Sequence, residues 1–340
     1  MKVTIRDIAE AVGLSQTTVS LVLNNRPSRI SEETKEKVRQ TARSMGYYPN
    51  AAAVGLRTNR SHSIGLIVPD IRNDYYANYA RGMEDACQKL GWSLILCTTS
   101  NNPQQEENYI RTLDSRGIDG ISIATTPSPA PDQNKKNAEL ILQLGIPLVQ
   151  MDLTNYQKPA NAVISNHFNG GYIATYHLLS LGHRDIIFIA GPAYLEGSHS
   201  RILGCQKAFQ DFHIEWRDDM VYHGNYSYQA GMDGIDAMIS RKFSAVFAFN
   251  DMMAYGVYHS LSKYNLKVPD DISVIGYDDN YVSKIVTPPL TTIHQPIYEM
   301  GMEASRILIG ISEKEIVPPV IHKFDLTLIM RESTRALKKT

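Results

Sequence analysis

Acidic and amide side chains stand at the ends of several short apolar runs. Asp70 follows IGLIVP, Asp152 follows PLVQM, Asn250-Asp251 follow AVFAF, and Asp278-Asp279 follow ISVIGY. A carboxylate accepts from hydroxyl hydrogens, and an amide both accepts and donates. If Asp152 and Asp278 met across a cleft, they would have the make-up of a glycosidase pair. Nothing in the sequence singles out one as acid and the other as base, and ligand binding alone accounts for both. There is no GxGxxG opening a helix, no GxxxxGK[ST], no GxSxG and no HExxH. The ten histidines show no metal spacing. Cys87, Cys97 and Cys205 are odd in number, widely spaced and form no CxxC, which suits reduced thiols in a cytosol. No enzyme, cofactor or metal is expected. A second set, mostly polar, lies near the start of the chain, where Gln16, Thr17, Ser20 and Leu21 share one helix face.

The stretch TIRDIAEAVGLSQTTVSLVLN, residues 4–24, positions that second set. Thr4 can cap a first helix, with Asp7 answering as in a capping box. Ile5, Ile8, Ala9 and Val12 fall on one face at helical spacing. Gly13 stands where the chain must turn, and a left-handed conformation there meets no Cβ. Ser15 caps a second helix whose Val19, Val22 and Leu23 face inward. This is the pattern of a helix-turn-helix. Ser31 caps a third helix, with Val38, Ala42 and Met45 inward and Gly46 at its end. Residues 1–60 hold ten Lys or Arg against five Asp or Glu, so the head carries +5 and the remainder −6. A basic head on an acidic body points to a polyanion partner for the head alone.

From Ser61 onward apolar runs alternate with helical segments. Strands are expected at 64–68, 93–97, 120–124, 147–151, 162–165, 186–190, 220–224, 245–249, 272–276 and 291–294. Helices are expected between nearly all of them. Such alternation means parallel sheets covered by helices on both faces. Ten strands suit two doubly wound lobes, divided near 163–166. Ligands bind such sheets at the C-terminal strand ends, where the acidic and amide residues lie. No run of about twenty apolar residues exists to span a membrane. MKVTIRDIAE has no apolar segment behind a basic start, so a cytoplasmic protein is expected.

These residues, taken together, resemble the lactose/galactose-repressor (LacI/GalR) family of bacterial transcription regulators. The markers run along the whole chain: VTIRDIAEAVGLSQTTVSLVLN, GYYPNAAAVGL, SIGLIVPDI, DGI, LGHRDIIFIAGP, SRILG, FNDMMAYG, VPDDISVIGYDD, PPLTTIHQP and MREST. The resemblance implies an all-α helix-turn-helix headpiece over 1–48 and a hinge helix over 49–60. Over 61–340 it implies an α/β two-lobed body like a periplasmic binding protein. The first lobe would take about 61–163 and 293–318, the second about 164–292 and 319–340, with three crossings between them.

The resemblance also implies roles. Gln16, Thr17 and Leu21 would read the major groove; Gln can pair bidentately with adenine, and Thr can meet thymine. Thr4, Thr18, Ser20 and Asn24 would hold phosphates. Leu21 departs from the Arg or His common in the family, and packing against the hinge is its other reading. Leu56 would wedge into the minor groove, once from each subunit. In the body, Arg201 and Asp278 would anchor a sugar, with Tyr75, Tyr76 and Tyr226 stacking on its ring. Asn73, Asp152, Asn250 and Gln295 would be secondary contacts. For Arg201 a structural salt bridge is the alternative; for Asp251 and Asp279, helix caps. Three departures alter the first-lobe side of the pocket. Asn73-Asp74-Tyr75-Tyr76 replaces Asn-Pro-Phe-Phe, Asp152-Leu153 replaces Asp-Arg, and Ser165-Asn166 replaces Asp-Asn. The expected protein is a homodimeric repressor of a palindromic operator under a sugar or sugar-phosphate effector; ALKKT after MREST is too short for a tetramer-forming coiled coil. A carbon-catabolite regulator answering to a phosphocarrier protein is the alternative. A sugar-transport component fits less well with the basic head.

Overall fold

A computed structural model describes residues 3–24, 29–47, 60–125, 131–152 and 161–337. The chain divides into two units, Met1–Ser61 and His62–Thr340.

The small unit holds three helices, α1 (Ile5–Val12), α2 (Gln16–Leu23) and α3 (Glu32–Ser44). The expected capping box forms: Thr4 N–H and Oγ1–H donate to Asp7 Oδ2 at 2.8 and 2.9 Å, and Asp7 N–H donates back to Thr4 Oγ1. Gly13 ends α1 at φ 72°, in the left-handed region the turn requires. Ser15 and Ser31 cap α2 and α3. Ile8, Val19 and Val38 are fully buried between the three helices, and Ala9, Val12, Val22 and Ala42 complete the core.

The large unit contains two six-stranded sheets. The strands are β1 (Ser63–Val68), β2 (Ser93–Thr98), β3 (Gly120–Ile123), β4 (Leu148–Met151), β5 (Asn161–Ser165), β6 (Ile186–Ala190), β7 (Val221–His223), β8 (Ala245–Ala248), β9 (Ser273–Asp278), β10 (Thr291–His294), β11 (Ile321–Phe324) and β12 (Thr327–Ile329). The first sheet runs β11-β5-β4-β3-β1-β2, all parallel; the second runs β12-β10-β9-β8-β6-β7, with β12 antiparallel on its edge. The helices are α4 (Asp74–Leu90), α5 (Pro103–Ser115), α6 (Pro131–Leu144), α7 (His167–Ser180), α8 (Glu196–Asp211), α9 (Tyr228–Met238), α10 (Asp251–Lys263) and α11 (Ile297–Ser312). Among the described residues no helix is long and apolar enough to cross a membrane.

All ten expected strands form. β5 lies in the first sheet and β6 in the second. β10 still pairs with β9, so the chain returns to the first lobe after His294, where about 293 was expected. β11 pairs with β5 in the first sheet, so the chain leaves that sheet after Phe324, where about 318 was expected. Asn161 holds that edge, its Oδ1 accepting from Val320 N–H at 2.9 Å.

Three helix pairs meet backbone to backbone through glycine. A Cβ on Gly171 of α7 would stand 2.1 Å from Arg201 O, and one on Gly204 of α8 would stand 2.0 Å from Phe168 O. Gly82 with Gly301 joins α4 to α11 in the same way, and Gly231 with Gly256 joins α9 to α10. The α7–α8 contact matters most here. It brings the first turn of α7, with His167, against Arg201.

Candidate functional site

On the small unit, Gln16 and Thr17 are exposed in the first turn of α2, and Leu21 is half-buried one turn later. Each expected phosphate contact already has an internal hydrogen bond. The Thr18 hydroxyl lies 2.9 Å from that of Ser15. Asn24 Nδ2 donates to Ser20 O at 2.6 Å and stands 3.3 Å from Ser20 Oγ. Phosphate oxygens only accept. Thr4 must therefore turn its hydroxyl hydrogen away from Asp7 to reach one, whereas Asn24 keeps a second amide hydrogen. Leu56 lies outside the described residues.

On the large unit, the strand ends carry backbone strain. Asp152, Tyr226, Asp278 and Asp279 have φ of 58°, 65°, 117° and 60°. These are left-handed values that cost a side-chain-bearing residue free energy, and such residues cluster at functional sites. Three of the four are residues assigned to the effector.

A chain of contacts links the lobes. Tyr75 Oη–H donates to Asp152 Oδ2 at 3.0 Å, and Tyr76 packs edge-on against Tyr75 at 5.2 Å. Asp152 Oδ1 accepts from Ser165 N–H at 3.0 Å and faces His167 Nε2 at 3.2 Å. His167 Nδ1 lies 3.3 Å from Arg201 Nη2 and 3.0 Å from Tyr277 Oη. A guanidinium only donates, so Nδ1 is the acceptor and the proton sits on Nε2, aimed at Asp152. Neutral His167 satisfies every contact. Burial holds its pKa below the ordinary value, against the pull of Asp152 and with Arg201 on the same side. Burial would raise the Asp152 carboxyl, but the His167 contact and the hydrogen bonds from Ser165 and Tyr75 hold it low.

Arg201 is the one Arg or Lys buried among the described residues. Its Nη1–H donates to Phe249 O at 2.7 Å. Its Cζ lies 3.9 Å from the Tyr277 ring centroid and 5.8 Å from that of Tyr226. The salt-bridge alternative fails: Arg201 makes no ion pair among the described residues, and its Nε is buried without a partner. Gln295 Nε2–H donates to Asp278 Oδ1 at 2.6 Å, leaving Gln295 Oε1 buried and unpartnered. Burial, with the Asp251 charge behind it, pushes the Asp278 carboxyl well above the usual range.

The structure therefore brings Tyr75, Tyr76, Asp152, Arg201, Tyr226, Asp278 and Gln295 into one connected polar and aromatic cluster. Asn73 and Asn250 play structural parts. Asn73 caps α4 through Tyr75 N–H, and Asn250 caps α10 while its Nδ2 holds Tyr226 O at 2.9 Å. Neither Asp251 nor Asp279 is a cap. Asp251 accepts from Asn280 N–H, Ser283 Oγ and Thr292 Oγ1, tying down the turn after β9. Asp279 pairs with Arg331 and with His294. The altered pair is also misplaced. Ser165 Oγ–H donates to Met300 Sδ and Asn166 caps α7. The residue that enters the cleft is His167, which the sequence reading missed. Its only signal there was its position directly after a crossing strand.

A three-helix DNA-reading head joined to a two-lobed body with a polar, strained cleft defines a ligand-responsive DNA-binding regulator. Residues 61–324 match the periplasmic binding proteins and sugar binding domain of the LacI family, and residues 4–50 match the bacterial regulatory proteins of the lacI family. The chain belongs to the LacI family and is a transcriptional regulator, not an enzyme. It is 34% identical over 346 residues to the HTH-type transcriptional regulator DegA of Bacillus subtilis (strain 168), covering 99% of each chain. It is 34% identical over 337 residues to the HTH-type transcriptional repressor PurR of Histophilus somni (strain 2336), covering 98% of this chain and 99% of the relative. Its fold matches the Lac repressor dimer bound to operator and the anti-inducer ONPF, with a TM-score of 0.87, 26% identity and coverage of 99% and 100%.

Proposed function

We propose that this regulator is a homodimeric repressor whose operator affinity is set by a sugar held between the two lobes. The carrying observation is a pair of buried polar atoms with no hydrogen-bond partner, Arg201 Nε and Gln295 Oε1, on the two residues that flank the Asp278 carboxyl. Buried polar atoms are normally paired, so these two ask for a ligand. Tyr226 and Tyr76 offer apolar ring faces beside them.

A dimer accords with the similarity to the Lac repressor dimer and with exposed Tyr281, Val282 and Ile285 on one turn of the second lobe. Two-fold symmetry implies a pseudo-palindromic operator. Gln16, Thr17 and Leu21 read it; Thr4, Thr18, Ser20 and Asn24 hold its backbone; Leu56 wedges the minor groove at the centre. The sugar acts by binding one interlobe arrangement better than the other.

The test is a thermal-shift screen of sugars on the whole chain, followed by gel shifts on the operator with and without the hits. A sugar that moves both the melting temperature and operator affinity is the expected result. Response to a phosphocarrier protein with no response to any sugar would replace this reading with the catabolite-regulator one.

A further inference from the structure

We propose that His167 is a positioning residue that couples the effector anchor Arg201 to the first lobe, so that an effector held at Arg201 biases the angle between the lobes. This rests on the interlobe cluster being the effector site.

His167 stands at the first crossing. β5 ends at Ser165 in the first sheet, and α7 begins at His167 and sends Ala174, Leu178 and Leu179 into the core of the second lobe. Only Asn166 lies between them. Asp152, one residue past the end of β4, grips both sides of that crossing. Its Oδ1 accepts from Ser165 N–H at 3.0 Å and faces His167 Nε2 at 3.2 Å, while its Oδ2 takes the Tyr75 hydroxyl at 3.0 Å. The other ring nitrogen belongs to the second lobe. Nδ1 stands 3.3 Å from Arg201 Nη2 and 3.0 Å from Tyr277 Oη. One imidazole thus joins a first-lobe carboxylate to the second-lobe guanidinium. Both of its nitrogens are taken, so it acts on the effector through its neighbours.

The ring has nowhere to swing. It is 6% exposed, and a Cβ on Gly197 of α8 would stand 3.2 Å from both its Cδ2 and its Nε2. An imidazole is also a rigid plane, so its two ends move together. α7 and α8 are locked to each other through Gly171 and Gly204, so a turn about Asn166 moves His167 and Arg201 as one body against Asp152. Either the imidazole follows the carboxylate and leaves Arg201, or it follows Arg201 and leaves the carboxylate. Leaving a buried donor or acceptor unpaired is costly. The lobe angle and the setting of Arg201 are therefore linked, and coupling between two sites needs a two-state element of this kind.

Substitution can cut the bridge at one end. Asparagine puts an amide oxygen near the place of Nδ1 and reaches no further, so Arg201 keeps its acceptor and Asp152 loses its donor. Glutamine reaches Asp152 with its amide nitrogen and leaves Arg201 Nη2 without its acceptor.

The test is isothermal titration of the whole chain, alone and bound to operator DNA, with the tightest-binding member of a panel of free pentoses, hexoses and disaccharides. The ratio of the two sugar affinities measures the coupling, and reciprocity makes it equal to the effect of that sugar on operator affinity. Wild type is expected to show a ratio of about fivefold or more, in either direction. His167→Asn, shown folded by circular dichroism, should bind the sugar within about threefold of wild type while its ratio falls to about one. His167→Gln should lose about tenfold or more in sugar affinity, and its ratio should also fall to about one. A residue that only supports the fold would lower the melting temperature and leave the ratio alone. An unchanged ratio in either folded variant therefore overturns the inference and leaves the effector-site reading standing. No binding by any sugar, or a ratio of one in the wild type, overturns that reading and this inference with it.

Discussion

The Arg201 guanidinium lies over the Tyr277 ring, 3.9 Å from its centroid, and the same ring's hydroxyl stands 3.0 Å from His167 Nδ1. Tyr277 is fully buried, so this contact fixes both the plane of the guanidinium and the rotation of the imidazole. Lysine could supply the charge at position 201 but neither the plane nor the fork. Arg201→Lys is therefore expected to weaken effector binding by about tenfold or more, and Arg201→Ala by about a hundredfold, the range for losing a buried charge-assisted contact. Calorimetric titration with the sugar found by screening checks this. Affinity within twofold of wild type would remove Arg201 from the site.

Gly171 controls the same contact from the backbone. A methyl there would stand 2.1 Å from Arg201 O, so α7 and α8 must separate. Gly171→Ala is expected to cost about 1–3 kcal/mol, the range for overpacking. It should weaken effector binding as well, because His167 and Arg201 part. Gly117→Ala is the control. Its φ of 65° makes alanine strained there, but nothing lies within 4 Å of the added methyl. It should lower the melting temperature and leave effector affinity alone.

These glycines show where the sequence could and could not be read. Every parallel strand buried on both faces, such as β1, β6 and β9, announced itself as a continuous apolar run. β11 and β12 did not. Their residues are largely exposed, and they exist because β5 and β10 offer free edges. Arg201 and Asp278 were legible through the motifs around them. His167 was not, because its role depends on α7 lying against α8, and a glycine's part in close helix packing cannot be told from sequence spacing. Asp251 and Asp279 looked alike as carboxylates after strands, and only tertiary partners separate them.

Asp251 and Asp278 give the body a distinctive pH dependence. Burial raises Asp251 from 3.8 to about 6 and Asp278 well above its ordinary range. A carboxyl whose folded pKa is raised contributes stability that is full below about pH 4 and is lost as pH rises through its folded value. Asp152 and Asp279, held low, act oppositely and lose their contribution as pH falls below the ordinary carboxylate value. Between pH 7.5 and 5 these gains run against His167, His177 and His183, whose pKa values burial lowers and which remove stability as pH falls below the ordinary imidazole value, so the Asp251 contribution is read from the difference between wild type and variant. Scanning calorimetry across that range checks this. Wild type should gain melting temperature relative to Asp251→Asn as pH drops from 7 to 5. Parallel melting curves for wild type and Asp251→Asn from pH 5 to 7 would refute the assignment.

The small unit separates stability from reading. Its core rests on Ile8, Val19 and Val38, each fully buried, and a unit of this size has little stability to lose. Val38→Ala removes two methyl groups from this core, and should cost about 1–3 kcal/mol. Operator affinity should fall for every sequence alike, in proportion to the fraction of heads unfolded, and should recover on cooling towards the temperature of greatest stability. Gln16→Ala acts differently. Gln16 is exposed, so the head stays folded, and the proposed bidentate base contact, once lost, is expected to cost about 1–3 kcal/mol at one operator position. Its affinity for operators changed at that position should equal the wild type's, and the salt dependence of binding should not move, because no phosphate contact is lost. Gel-shift titrations over a set of single-base operator variants, at two temperatures and two salt concentrations, distinguish the two. A uniform loss in Gln16→Ala would show that the first turn of α2 does not enter the groove in the assigned register. Effector binding measured on the same variants should be unchanged in both, since His62–Thr340 forms its own compact unit.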